Sequence, residues 1–210
     1  GCIIEDYRKA AANAMEAGFD GVGIHAANSY LLDQFMHSSS NLRTDQYGGS
    51  IENRCRLTLE VTDAVCTAIG SDKTGIRLSP SNIRYGMDDP DPAALFGYVI
   101  QELDKRSLAY LHLVEPMLSL ENHPHMVKQV AKHFRKHFSG TLITAGNLTP
   151  ESGSQALEGG YADLVAFGRL FISNPDLPQR ILMNAPLNVP DPDTFYTRGP
   201  EGYTDYPFMK

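Results

Sequence analysis

Five short apolar runs alternate along this chain with stretches of helical spacing, and that alternation leaves few folds open. The runs lie at 21–25 (GVGIH), 74–78 (TGIRL), 110–114 (YLHLV), 141–144 (TLIT) and 164–167 (LVAF). Runs this short between helical patterns predict strands of a parallel sheet, buried by helices. Before the first run, Tyr7, Ala10, Ala11 and Ala14 share one helical face, and Gly18 stops it. After it, Ser50 caps a helix with Leu57, Val61, Ala64, Val65 and Ala68 inward, ended by Gly70. Asp91 and Pro92 start a third helix, with Leu95, Tyr98, Val99 and Leu103 buried. A fourth is expected over 124–138 with Val127, Val130, Phe134 and Phe138 inward. Thr149 and Pro150 open a fifth, closed by Gly159 and Gly160. The expected class is α/β, with helices outside and ligand loops at the C-terminal ends of the strands.

At 210 residues and 42% hydrophobic, one sizeable core is expected, so 1–210 reads as a single domain. Residues 179–210 are proline-rich and read as an irregular tail packed on that domain. A net charge of -7 argues against nucleic-acid or anionic-membrane partners. No apolar run is long enough to span a bilayer, no signal peptide opens the chain, and Gly1 in place of Met suggests a processed or excised chain. Cys2, Cys55 and Cys66 have no paired or metal-ligand spacing, which fits a reducing, cytoplasmic setting. His125, Lys128, His133, Lys136 and His137 read as the solvated face of the fourth helix, and no metal site is expected.

The chemistry concentrates just past the first run. His25 ends it, Asn28 follows three residues later and Tyr30 two after that. An imidazole and an amide can hold a carbonyl oxygen, and a phenol can deliver a proton. A lone histidine there would more often satisfy a core hydrogen bond; the triple after a strand makes an active-site rim an equal contender. The loop 26–49 is long for a compact domain, which marks it as functional. Arg43, Asp45 and Arg54 are expected to pin it. Arg77 inside the second strand needs an anion or polar ligand, or a buried ion pair with another residue of the sheet. Past the last two strands come Ala145-Gly146-Asn147 and Gly168-Arg169. Glycines there let backbone N–H groups approach a phosphate, helped by a following helix terminus, and Arg169 adds charge-assisted bonds.

The segment HAANSYLLDQF (25–35) and the stretch NLRTDQYGGSIENR (41–54) closely resemble the Old Yellow Enzyme family, flavin-dependent ene-reductases that include the 12-oxophytodienoate reductases. The resemblance continues in order through GIRLSP, LITAGN, LVAFGRLFISNPDLP and GYTDYPF, and so covers nearly the whole chain. Gly23 stands where the family usually has an acidic residue, and Ala26 where it usually has a small one, often Gly. The resemblance implies a TIM (β/α)8 barrel binding FMN over the strand ends. NADPH or NADH would pass a hydride to the flavin, which passes it to an activated alkene such as an enone. By residue correspondence His25 and Asn28 would hold the substrate carbonyl and Tyr30 would protonate the α-carbon. Arg77 would sit against the electron-rich side of the flavin. Gly146, Asn147, Gly168 and Arg169 would cradle its phosphate, and Tyr196 would border the substrate pocket.

Five β/α units are fewer than a closed barrel needs. The order of the matched motifs places the missing three at the N-terminus, where the family makes much of its flavin-ring contact. An open sheet of five strands exposes two edges and its inner face. One rival reading is therefore an incomplete, non-catalytic chain, or one half of an assembly, either a homo-oligomer or a pairing with the missing N-terminal half. Another is a phosphate-binding barrel without flavin, such as an aldolase-like lyase. No lysine lies in an expected strand, which weakens its Schiff-base form.

Overall fold

The structure, a computed structural model, describes residues 2–209. Helix α1 (Cys2–Glu16) precedes strand β1 (Val22–Ala26). The short α2 (Leu31–Met36) and the long α3 (Ile51–Ile69) follow, leading to β2 (Thr74–Leu78). Next come α4 (Pro92–Asp104), β3 (Tyr110–Val114), α5 (Val130–Phe134), β4 (Leu142–Ala145), α6 (Pro150–Glu158) and β5 (Leu164–Ala166). Helices α7 (Arg169–Ser173) and α8 (Leu177–Leu182) close the regular part. All neighbouring strands pair in parallel in the order β1-β2-β3-β4-β5, so each strand lies beside its predecessor. This is the β/α repeat of a (β/α)8 barrel, present here as five units.

The expected caps do their job. Ser50 accepts from the Asn53 N–H, Asp91 from the Ala94 N–H, and Thr149 and Ser152 form a reciprocal capping box. Gly70 ends α3 with a positive φ of 96°, a conformation that glycine adopts without strain. Ile24, Ile76, Leu78, Leu111, Leu113 and Leu142 point from the sheet toward the helices and are buried. There they meet Val61 and Val65 of α3, Leu95 and Val99 of α4, and Phe134 of α5. Burying each such side chain contributes roughly 1.5–3 kcal/mol, so this layer dominates stability. The other face is the barrel's interior side, and it reads differently. Gly23 and His25 are exposed, Arg77, Tyr110 and His112 half-buried, and Leu164 is 52% exposed.

Three expectations need correction. No helix spans 124–138: residues 124–129 form turns and bends, and α5 begins only at Val130. Its start is fixed from a distance, because the Glu115 carboxylate accepts both the Val130 and Ala131 N–H groups at 2.8 Å. The inward face of that segment is nevertheless as expected, with Val127, Val130, Phe134 and Phe138 buried. Ala10 is exposed, so the buried stripe of α1 is narrower than its spacing suggests. Helix α8 also runs four residues into the stretch read as irregular. Arg180, its buried cation, pairs with Asp176 and donates to the carbonyls of Pro186 and Pro207, tying the tail back to α8.

Candidate active site

Strand β1 delivers His25 at its penultimate position, and two fully buried alanines, Ala26 and Ala27, carry the chain over the sheet. Asn28 and Ser29 then both take left-handed backbone, φ 58° and 68°. For residues other than glycine this costs about 1–2 kcal/mol apiece. Surrounding groups enforce it. Ser79 Oγ accepts the Asn28 N–H at 2.7 Å, and Asp33 Oδ2 accepts the Ser29 N–H at 2.8 Å. Ser79 Oγ in turn faces the same Asp33 oxygen at 3.4 Å. The double kink returns Tyr30 over His25, with ring centroids 4.9 Å apart. Burial, and then the charge of Arg77, hold the His25 pKa below its usual value against the opposing pull of Asp33. His25 is thus neutral at pH 7 and can donate from one nitrogen.

Arg54 pins the long loop as expected. It is buried, donates to the carbonyls of Met36 and Gly49, and pairs with buried Asp89 at 2.8 Å. Arg43 and Asp45 pair with each other at the surface.

Strand register places His25 beside Arg77 and Arg77 beside His112, one polar row across three strands. Among the described residues Arg77 has no acidic partner, and its buried Nε has no hydrogen bond. The ion-pair alternative for Arg77 is therefore not realised. Burial and the Arg77 charge push His112 down to about 4, so it adds no second cation to the row. One layer lower, Tyr110 lies flat across the strands. A Cβ at Gly75 would come within 2.5 Å of its ring carbons, and one at Gly23 within 2.6 Å of its hydroxyl. The phenol thus occupies the space beside Gly23, the position noted above as unusual.

At the far end of the sheet, Gly146 takes φ 110° and passes so close to Glu115 that a Cβ would lie 2.7 Å from its carbonyl oxygen. Only glycine fits there. Asn147 follows in left-handed backbone, φ 51°; its Nδ2 donates to the Met117 carbonyl, and its Oδ1 accepts from Arg169 at 3.1 Å. Gly168 differs: its φ of -97° is ordinary, and a Cβ there would meet nothing within 4 Å. Its use is open space above the backbone. Helix α7, starting at Arg169, has only five residues, so the positive charge at this end comes from Arg169 more than from a helix terminus.

These residues meet in two adjoining concavities. One of about 150 Å³ gathers Arg77, Gly146, Asn147, Gly168 and Arg169. Another of about 480 Å³ gathers Asn28, Tyr30 and Tyr196, and Met117 walls both. His25 lines neither and reaches the larger one through Tyr30. Tyr196 is 96% exposed and contributes an edge rather than a wall. Two guanidinium groups without an acidic partner among the described residues, glycine-lined backbone and an approach over the strand ends fit an anionic, planar cofactor such as FMN.

Sequence reasoning missed several participants. Tyr85, 88% exposed and in left-handed backbone at φ 57°, stands on the rim with Tyr30. Glu115 joins the rim to α5. Asp33 and His37, both fully buried and 3.3 Å apart, lie beneath the Asn28 kink. An acid inside LLDQFM was the available signal for that pair.

A family described as NADH:flavin oxidoreductase / NADH oxidase matches residues 2–188. "Putative 12-oxophytodienoate reductase 5" of Oryza sativa subsp. japonica is 53% identical over 209 residues, 99% of this chain and 56% of that protein. "12-oxophytodienoate reductase 2" of Arabidopsis thaliana is 48% identical, with the same shares covered. Among solved structures, morphinone reductase in complex with tetrahydroNAD superposes with a TM-score of 0.90 at 49% identity, over 99% of this chain and 55% of that one. The old yellow enzyme homologue from Zymomonas mobilis gives 0.93 at 41% identity, over 99% and 58%. The chain spans about half the length of the curated relatives it matches. With the polar row, the two concavities and this breadth of likeness together, the chain belongs to the NADH:flavin oxidoreductase / NADH oxidase family.

Proposed function

We propose that this chain supplies the substrate-activating rim and the phosphate end of an FMN site, in an oxidoreductase that reduces the activated C=C bond of an α,β-unsaturated carbonyl compound. The carrying observation is the convergence of Arg77, Gly146, Asn147, Gly168 and Arg169 on one concavity, next to another lined by Asn28 and Tyr30. FMN, when bound, would supply the hydride that NADPH or NADH delivers. Everything else falls to the side chains. Arg169 and the backbone N–H groups at Gly146 and Gly168 would hold the phosphate. Arg77, with no acid to neutralise it, would favour negative charge on the ring above it. Neutral His25 and the Asn28 amide would donate to the substrate carbonyl oxygen, where charge grows during reduction. Tyr30, 62% exposed, would release its proton to the α-carbon.

The open edges at β1 and β5 define the partner this reading requires: the three N-terminal β/α units, in cis or as a separate chain. Residues 1–210 alone are expected to be colourless or to lose flavin on gel filtration, and to self-associate. With the three units supplied, flavin absorbance and enone reduction should appear. A monomeric 1–210 that stays stoichiometrically yellow and reduces an enone would overturn the requirement for the other units. A supplied complex that binds no flavin would overturn the flavin reading itself.

A further inference from the structure

In the loops that follow β2 and β3, Asp88, His123 and His125 each offer one ligand atom, and these atoms lie within 4.8 Å of one another. They come from two different loops. Asp88 lies in the segment between β2 and α4, and its backbone is held to Ser39 in both directions, Ser39 N–H to the Asp88 carbonyl and Asp88 N–H to Ser39 Oγ. The histidines sit in the segment after β3, where the Met126 N–H closes a turn onto the His123 carbonyl. Pro124 occupies the second position of that turn, where its fixed φ suits the chain reversal. The turn leaves both imidazoles on one side, ring centroids 6.0 Å apart, and puts His125 Nε2 2.8 Å from Asp88 Oδ1. This also corrects the reading of His125 as part of a solvated helix face.

We propose that Asp88, His123 and His125 form a site for a divalent transition-metal ion of the zinc class. Two imidazole nitrogens and a carboxylate oxygen are a borderline donor set that suits such ions and disfavours Mg²⁺ and Ca²⁺. Nitrogen and oxygen ligands about 2.0–2.1 Å from a tetrahedral ion stand roughly 3.3 Å from one another. To reach that spacing the 2.8 Å His125–Asp88 contact must open slightly, and the remaining separations, at most 4.8 Å, must close by roughly 1.5 Å. Water completes the coordination, since Asp88 and His125 are both partly exposed. The two bridged loops also form walls of the larger concavity, through Asn82 and Tyr85 on one and Met117 and Leu118 on the other. A bound ion would cross-link those walls and slow their opening.

Titration calorimetry of chelator-stripped protein with Zn²⁺, and visible absorption with Co²⁺ as a spectroscopic probe, test it. One equivalent should bind in the micromolar range, with a Co²⁺ band typical of four or five ligands. H123A and H125A should each weaken binding by more than about tenfold, a loss that even partners outside the coordination shell can cause. Asp88→Asn, nearly isosteric, should do the same with circular dichroism unchanged, and His133→Ala should leave binding intact. Zn²⁺ should also slow protease cleavage within 80–89 and 117–126 severalfold, and only in protein with all three ligands. Absence of saturable uptake, or uptake that survives H123A/H125A together, would overturn the site.

Discussion

Asp33 makes the sharpest test of how the substrate rim is held. Its carboxylate is fully buried, accepts the Ser29 N–H at 2.8 Å and faces Ser79 Oγ at 3.4 Å, while its second oxygen lies 3.3 Å from His37 Nε2. A charge-assisted bond to a backbone N–H is worth about 1.5–3 kcal/mol, and its loss leaves a donor without a partner. The Asn28–Ser29 kink carries about 1–2 kcal/mol of backbone strain per residue in wild type and variant alike, so the added cost is that of the Ser29 N–H left without its acceptor, about 1–3 kcal/mol. Asp33→Ala should therefore cost roughly 3–4 kcal/mol. Asp33→Asn keeps an oxygen for Ser29 but loses the charge, and should cost about half as much. The neighbouring side chain is the control. Gln34 also bonds Ser29, donating from Nε2 to its carbonyl at 2.6 Å, but Gln34 is exposed, so Gln34→Ala should cost less than about 1 kcal/mol.

Urea unfolding of the protein with its N-terminal units present measures all three, provided the slope is unchanged between variants. A second readout separates positioning from bulk stability. Asn28 is placed through Ser79, which Asp33 orients, so phenolate ligands that mimic a developing enolate should bind the Asp33 variants more weakly even well below the unfolding transition. Asp33→Ala matching Gln34→Ala in both measurements would refute the argument.

Two further outcomes follow from the site. Tyr30→Phe should leave flavin reduction by NADPH nearly unchanged and slow reoxidation by an enone about 10²–10⁴-fold in rapid mixing, the worth of a placed general acid; equal effects on both half-reactions would remove Tyr30 from that role. His112 titrates near 4 when folded and near its ordinary 6.5 when unfolded, so the unfolded chain takes up the proton first as pH falls. Its contribution is full above about 6.5 and is lost between about 6.5 and 4, on the order of 1–2 kcal/mol after allowing for solvent screening. The unfolding midpoint of wild type should fall relative to that of His112→Gln as pH goes from 7.5 through 6 to 5; parallel lines would contradict this.

The sheet and its helices were legible because each rests on local signals. Ser50, Asp91 and Thr149 cap where they stand, and the apolar period switches at each strand. The segment 124–138 was misread because its helix start is set by Glu115, a residue distant in sequence whose carboxylate no local pattern announces. The same limit applies at the site. His25, Asn28 and Tyr30 could be named from spacing after a strand, and Arg77 from its cost inside one. Asp33 and His37 offered only the weak signal of an acid inside LLDQFM, since their importance lies in burial beneath a kink that itself depends on Ser79 from the next unit.

Strand alternation alone treats the inner face as interior to be filled, and here its two layers are treated oppositely. The lower layer is closed by one residue: Tyr110 spreads over Gly75 to Gly23, and any side chain at either glycine would collide with it. The upper layer carries His25, Arg77 and His112 on its first three strands and apolar Ile143 and Leu164 on the last two. It leaves the Arg77 Nε and the His112 Nε2 buried without partners, a cost of about 1–3 kcal/mol for each. A chain selected for stability alone would fill that layer as it fills the one below. In the proposed reading a ligand over these strands would satisfy the polar groups of this row, and the neighbouring glycines would leave room for it to reach the backbone.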